Sequence, residues 1–345
     1  MTDEKRRAMK RRSLKLQMFG AIVLLFVSAR WTLAQTASES AGVPVNMVVT
    51  VEAPKGAAIP QIGRENVIVY QGGLRTKVTD WVPFQEGQQA SLELIIMMDD
   101  SPKASRGTQL DDVANFIMAQ PETVKVGVAY MQIGSPKIVQ APTTDHAFAA
   151  KALRPTLSPL AASASPYFSL SELIKHWPAS HGAREVLMIS NGRDHLWDGA
   201  PESDVYVDAT IEEARRAGVV VFTITSQANS QDVFSKTAGD TSLANPQDKF
   251  SETAIETDHR SYWRDSLSKI ADETGGRSYW QASGTPVSIA PYLKDVAQCL
   301  RRQYLLIFLA QPKETARMQS VKLATDVPKV RLLGADKIFV PAAPQ

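Results

Sequence analysis

The sequence predicts an α/β protein: a doubly wound, mostly parallel six-stranded sheet, with a small β-rich accessory domain drawn from both chain ends. Three observations carry this. Apolar runs that do not alternate recur along the middle of the chain, at Leu92–Met97, Val124–Tyr130, Arg184–Ser190 and Gly218–Thr225; runs of that kind suit strands buried on both faces of a parallel sheet. The segments between most of them carry helical spacing, as in Leu110, Val113, Phe116 and Ile117. Alternating, β-rich segments stand before and after this region and are too small to be stable alone.

The chain has 345 residues, 44% hydrophobic and 21% charged, ordinary values for a globular protein with a sizeable core. Its beginning is different. Lys5 to Lys15 is densely basic, Leu16–Ala29 is apolar, and Thr32-Leu33-Ala34 offers small residues before Gln35. That order is a signal-peptide pattern, and the apolar run is shorter than the roughly 20 residues of a bilayer span. Residues 1–34 are therefore expected to be a signal peptide cut near Ala34, or a retained amino-terminal anchor with its basic end in the cytoplasm. Without this segment, which holds eight Lys/Arg and two Asp/Glu, the formal charge falls from +2 to −4. The basic character is thus a targeting feature and gives no support for nucleic-acid binding. One cysteine, Cys299, excludes a disulfide framework and a cysteine-rich zinc site.

Residues 35–42 read as a linker. A β-rich segment, 43–86, follows, with strands at Val43–Glu52, Asn66–Tyr70 and Thr76–Phe84 and a hairpin turn at Gln71-Gly72-Gly73. The α/β domain is expected over 91–302. Its helices are Gln109–Ala119, Asp145–Leu153 with Asp145 as cap, Phe168–Trp177, Ser203–Ala217, Tyr262–Thr274 stopped by Gly275-Gly276, and Pro286–Arg301. Lys137–Gln140 pairs back on Val124–Tyr130 as a hairpin. Pro155–Pro166 is a surface loop, 226–260 a long polar insertion, and Arg277–Trp280 a short edge strand. Strands return at Gln303–Ala310, Ser320–Thr325, Val330–Leu333 and Lys337–Val340. The segment 303–345 is expected to pair with 43–86 as a β-sandwich, from which the α/β domain emerges as an insertion; the rival is that each packs on the domain separately.

The first apolar run leads into Asp99-Asp100-Ser101, at the carboxyl edge where open α/β sheets place ligands. With the strand order, Asp99-x-Ser101, Pro142-Thr143-Thr144-Asp145, Val186–Gly192 and Leu267–Tyr279, roughly Ser91 to Arg302 resembles the von Willebrand factor type A domain, in its bacterial exported branch. That resemblance implies a metal-ion-dependent adhesion site, in which Asp-x-Ser-x-Ser, a distant Thr and a distant Asp hold one divalent cation. Carried over, Asp99 and Ser101 match, and Thr143 matches the Thr, with Thr144 as its rival. Lys103 stands at the second Ser and Asn191 at the distant Asp, so the site is degenerate. An amide replaces a carboxylate, and an ammonium, which has no lone pair to offer, replaces a hydroxyl. A fixed positive charge ~4 Å from a divalent ion costs several kcal/mol at an effective dielectric near 20. Mg²⁺ or Mn²⁺, which an intact site would take, is therefore not expected, and no other cofactor is implied.

The resulting expectation is an exported, non-enzymatic protein-interaction module, adhesive or scaffolding, periplasmic or secreted. Asp99, Ser101, Lys103, Thr143, Thr144, Asn191, Asp194 and Trp197 would meet a protein partner at the carboxyl edge. Two other functions stand beside it. One is a structural protein with a vestigial site, acting through the β-rich domain. The other is an exported hydrolase using Ser101 and Asp99 with a histidine such as His195, for which the sequence holds no ordered signature. His146, His176, His181, His195 and His259 show no metal spacing.

Overall fold

The computed structural model describes residues 42–54, 57, 60–84, 91–100, 107–132, 134–155, 165–178, 182–190, 192, 194, 205–225, 262–281 and 288–343. The leader 1–34, most of the linker, the insertion 226–260, and Ser101, Lys103, Asn191, His195, Trp197 and Ser203 lie outside them. The residues from Val43 onward form one compact unit.

Its α/β layer is a six-stranded sheet built around β4 (Leu92–Asp99), which is buried along its length up to Asp99. The strand order is β6-β5-β4-β7-β8-β9. Here β5 is Val124–Gln132, β6 Ser135–Thr143, β7 Ala183–Ser190, β8 Val219–Thr225 and β9 Ser278–Trp280. β5, β4, β7, β8 and β9 run parallel, and β6 turns back antiparallel on β5 as an edge strand. The helices are α1 (Gly107–Met118), α2 (His146–Lys151), α3 (Pro166–Lys175), α4 (Val205–Ala217), α5 (262–274) and α6 (Ala290–Leu300).

Strand alternation divides the helices between the two faces. Leu94, Ile96, Leu187, Ile189, Val220 and Phe222 pack with α1, α2 and α6. Ile95, Met97, Val186, Met188, Val219 and Val221 pack with α3, α4 and α5. The caps follow local chemistry. Asp145 Oδ1 accepts from the Phe148 amide at 2.9 Å, and Ser165 Oγ accepts from the Phe168 amide at 3.3 Å. Ser165 followed by Pro166 starts α3 two residues earlier than the apolar spacing suggests. Gly218 (φ 66°) and Gly275 (φ 88°) stop α4 and α5 in the left-handed conformation.

The chain ends meet in a seven-stranded antiparallel sheet of order β12-β1-β10-β3-β2-β11-β13. β1 is Val43–Glu52, β2 Val67–Gln71, β3 Leu74–Pro83, β10 Gln303–Ala310, β11 Arg317–Thr325, β12 Arg331–Leu333 and β13 Lys337–Val340. β10 lies between β1 and β3, and β11 pairs with β2, so the two ends are interleaved. The expected sandwich is one sheet curled on itself, with β12 against β11 and β13 against β1. It closes on Val49, Val51, Val67, Val69, Leu306, Phe308 and Val340. The two layers share apolar contacts, since Val48 and Phe84 belong to the cluster around Leu187 and Phe222. Cys299 is buried in the same cluster.

Candidate functional site

Parallel strands bring their carboxyl ends to one edge, and the register fixes which residues stand there. Asp99 is level with Met131 of β5 and one step beyond the Met98–Ile189 pair, hence level with Ser190 of β7. Adjacent residues on a strand point to opposite faces. Asp99 continues the row of Ile95 and Met97, and Asp100 the row of Leu94, Ile96 and Met98.

Asp100 has no exposed surface. Its carboxylate accepts two parallel hydrogen bonds from Arg154, Nη1 to Oδ1 and Nη2 to Oδ2, both 2.9 Å, and a third from Gln132 Nε2 at 2.7 Å. The Arg154 guanidinium lies 4.1 Å from the centroid of the Tyr130 ring. The Arg154 amide donates to the Tyr130 hydroxyl at 2.8 Å, and that hydroxyl donates to the Arg154 carbonyl at 3.0 Å. The hydrogen bonds it donates to Asp100 hold the guanidinium charged more firmly than usual, and burial pushes the Tyr130 phenol up. The chain leaving α2 is thereby pinned over the carboxyl edge by a cation that the protein supplies itself.

On the other face, Ser165 Oγ donates to Asp194 Oδ2 at 2.5 Å, and both residues are buried. The Tyr167 hydroxyl donates to the Gly192 carbonyl at 3.0 Å, and the Gly192 amide donates to Ser190 Oγ at 3.0 Å. Gly192 has φ 75°, and a Cβ there would lie 2.9 Å from Leu267 Cδ1, so the turn requires glycine. Asp194 therefore anchors the loop after β7 to the start of α3.

Thr143 and Thr144 are not at this edge. β6 runs antiparallel, and Thr143 pairs with Val126 near the start of β5, whereas Asp99 is level with Met131. Five residues of strand, ~16 Å, separate the two levels. The Thr143 hydroxyl accepts from the Asp145 amide at 3.1 Å, inside the turn that starts α2. Asp99 and Thr143 consequently do not share one site, and Ser101 lies outside the described residues. The physical reason is the hairpin itself, which returns the chain to the amino edge. Among the described residues no group of three or more His, Cys, Asp or Glu is placed to hold a metal ion. His146, buried in α2, sets Nε2 2.8 Å from the Val124 carbonyl.

Asp99, Ser101, Asn191 and Asp194 stand out in the sequence as candidates for this edge, whereas Arg154, Tyr130, Gln132 and Ser165 do not. Two signals were available. Strand alternation separates Asp99 from Asp100, and the hairpin that ends in Thr143 leaves Leu153–Pro155 as the next stretch able to come back over the carboxyl edge.

No family model and no curated protein matches the chain. Among solved structures, it is similar to an aerotolerance-related membrane protein from Bacteroides fragilis carrying multiple mutations to serine (13% identity, 61% of this chain, 98% of that one, TM-score 0.38). It is also similar to the conserved hypothetical protein BatB from Bacteroides thetaiotaomicron (12% identity, 60% and 96%, TM-score 0.35). A third is the VWA domain of SpRpn10 (10% identity, 60% and 95%, TM-score 0.33). At these values the likeness adds no weight to a functional reading, which has to come from strand order and side chains.

Proposed function

We propose that this chain is an exported, non-enzymatic protein-interaction module that binds a protein partner at the carboxyl edge of its α/β sheet, without metal. The observation that carries the reading is the state of that edge. Its buried polar groups are tied to one another, Asp100 to Arg154 and Asp194 to Ser165, while apolar side chains beside them face solvent. Phe168 in the first turn of α3 is 39% exposed, and Val205 and Tyr206 at the start of α4 are 59% and 39% exposed. The Tyr167 and Tyr206 carbonyls both accept from Thr210 Oγ1, at 3.1 and 2.7 Å, which holds the two helix starts side by side. Aromatic and aliphatic groups gathered on a rigid frame suit recognition of another protein's surface.

Three features support metal-free binding: Asn191 and Lys103 at ligand positions, Thr143 at the far edge, and Asp100 engaged by Arg154. Against catalysis, Ser165 is 1% exposed and its oxygen accepts the Phe168 amide as a helix cap, so its short bond to Asp194 reads as structural. The basic–apolar–small leader supports export. The alternative, in which the chain acts through its β-rich sheet, is favoured by Leu74, 70% exposed at the β2–β3 turn.

Photo-crosslinking in the native host tests this. A benzoylphenylalanine at Tyr206 is expected to yield an adduct of one discrete mass, lost on Phe168→Glu and unchanged by a chelator. The same group at Phe148, 56% exposed near the amino edge, is expected to yield none. Adducts from Leu74 but not Tyr206 would transfer the function to the β-rich sheet, and loss of the Tyr206 adduct in chelator would overturn the metal-free mechanism.

A further inference from the structure

Glu185, on the central strand β7, is completely buried, and among the described residues neither of its carboxyl oxygens has a well-formed hydrogen bond. Alternation along β7 puts it in the row of Leu187 and Ile189, which face the core closed by Val48 and Phe84 of the β-rich sheet. The polar group that bears on it is Gln303, the first residue of β10, 1% exposed, whose side-chain nitrogen and oxygen have no other partner among the described residues. The Gln303 backbone stands where the chain crosses between layers in both directions. Its carbonyl accepts from the Phe84 amide at 3.2 Å, just before the chain enters β4, and its amide follows α6. These two buried polar side chains thus face one another at the seam of the two sheets with no other polar partner among the described residues, an expensive arrangement unless it does something.

We infer that Glu185 and Gln303 form a proton-dependent latch between the α/β layer and the β-rich layer, closed when the Glu185 carboxyl carries its proton and loosened when it ionises. A protonated carboxyl donates its O–H to an amide oxygen and accepts from the amide N–H; a carboxylate loses the donor and carries a charge into an apolar seam. Among the described residues no cation is placed to hold that charge. On β4, Glu93 points to the other face, where Lys125 and Trp177 bond it. Arg184 of β7 also points there and bonds the Ala217 carbonyl. Asp295 of α6 is taken by Arg277 and Tyr279, and Glu52 of β1 by Arg277. β8 offers Val220 at this level. Burial accordingly pushes the Glu185 carboxyl up to about 8, against an ordinary value of 4.5, and the Gln303 amide, which can donate to the carboxylate, offsets only part of that rise.

The sign follows. Between the two values the unfolded chain has released a proton that the folded chain keeps, so stability is greatest at the acidic end and is lost as pH rises toward 8. The test is urea unfolding of the full chain and of Glu185→Gln at pH 5 to 9. The ratio of unfolding constants, natural over variant, is expected to climb by up to about tenfold per pH unit and level off above pH 8. Protection of the amides of β7 and of the start of β10, taken relative to their base-catalysed intrinsic exchange rates, is expected to fall at pH 9 in the natural chain alone. A ratio independent of pH overturns the latch. Should Glu185→Gln not fold, the infrared band of a protonated carboxyl in the natural chain decides: its absence at pH 6 overturns the proposal, and its loss near pH 8, matched by lower protection at both strands relative to the intrinsic exchange rate, upholds it.

Discussion

Arg154 and Asp100 show what one ion pair does when one partner is wholly buried and the other has 20% of its side chain exposed. Removing the guanidinium strands a desolvated carboxylate, a loss of roughly 3–5 kcal/mol for a buried pair. We expect Arg154→Met to cost about 3 kcal/mol in urea unfolding, near the low end because Arg154 is partly solvated. Arg154→Lys should recover part of this, since a point charge cannot span both oxygens. Asp100→Asn combined with Arg154→Met should recover more than Lys does, and equal losses in the single and double variants would show that the pair is not the source. Adjacent aspartates here have separate fates for a reason contained in the sequence: residues one apart on a strand face opposite ways. Which of the two finds a cation is not written in that pattern, because Arg154 lies 54 positions away.

At the level of elements, the caps and stops are the legible part. Asp145, Gly218 and Gly275 act as their residue types require, and α5 spans the residues its spacing marks. The hairpin β5–β6 was equally legible, but its consequence for Thr143 depends on which edge a returning strand ends at, a property of the pair that a motif match does not contain. Ser165 was missed because a serine before a proline carries the signal of a cap and none of its bond to Asp194. Its replacement tests both roles. Ser165→Ala removes the cap of α3 and leaves Asp194 without that donor, and is expected to cost about 2 kcal/mol. Ser165→Thr should retain most of it. Gly276 makes a second test, since a Cβ there would sit 2.0 Å from the Val221 carbonyl oxygen. Gly276→Ala must push the start of β9 off β8, and a loss on the order of 2 kcal/mol is expected in the same assay. A neutral result would mean that this edge strand yields without consequence for the sheet.

Across the whole molecule, the α/β layer is an insertion between two halves of one β-sheet, and neither half closes without the other. β10 fills the gap between β1 and β3, and Leu306, Phe308, Ala310, Val321 and Val340 supply much of the β-rich core. The sequence marked these segments as strands, yet their interleaving depends on pairings between residues as distant as Val43 and Ala310, for which local pattern holds no signal. The dependence extends to the α/β layer, because Val48 and Phe84 close one of its faces and need β10 beside them to stay in place. A chain ending at Arg302 should therefore lose more than its missing strands. Amides of β1 and β3 are expected to exchange as in an unfolded chain, and those of β7 from Val186 to Ile189 to lose protection with them, by local opening of a face stripped of its cover. A separate 303–345 peptide added in trans should restore protection at both places together. If β7 remains as protected in the truncated chain as in the full one, the α/β layer is stable by itself, and the two layers are coupled by covalent connection alone.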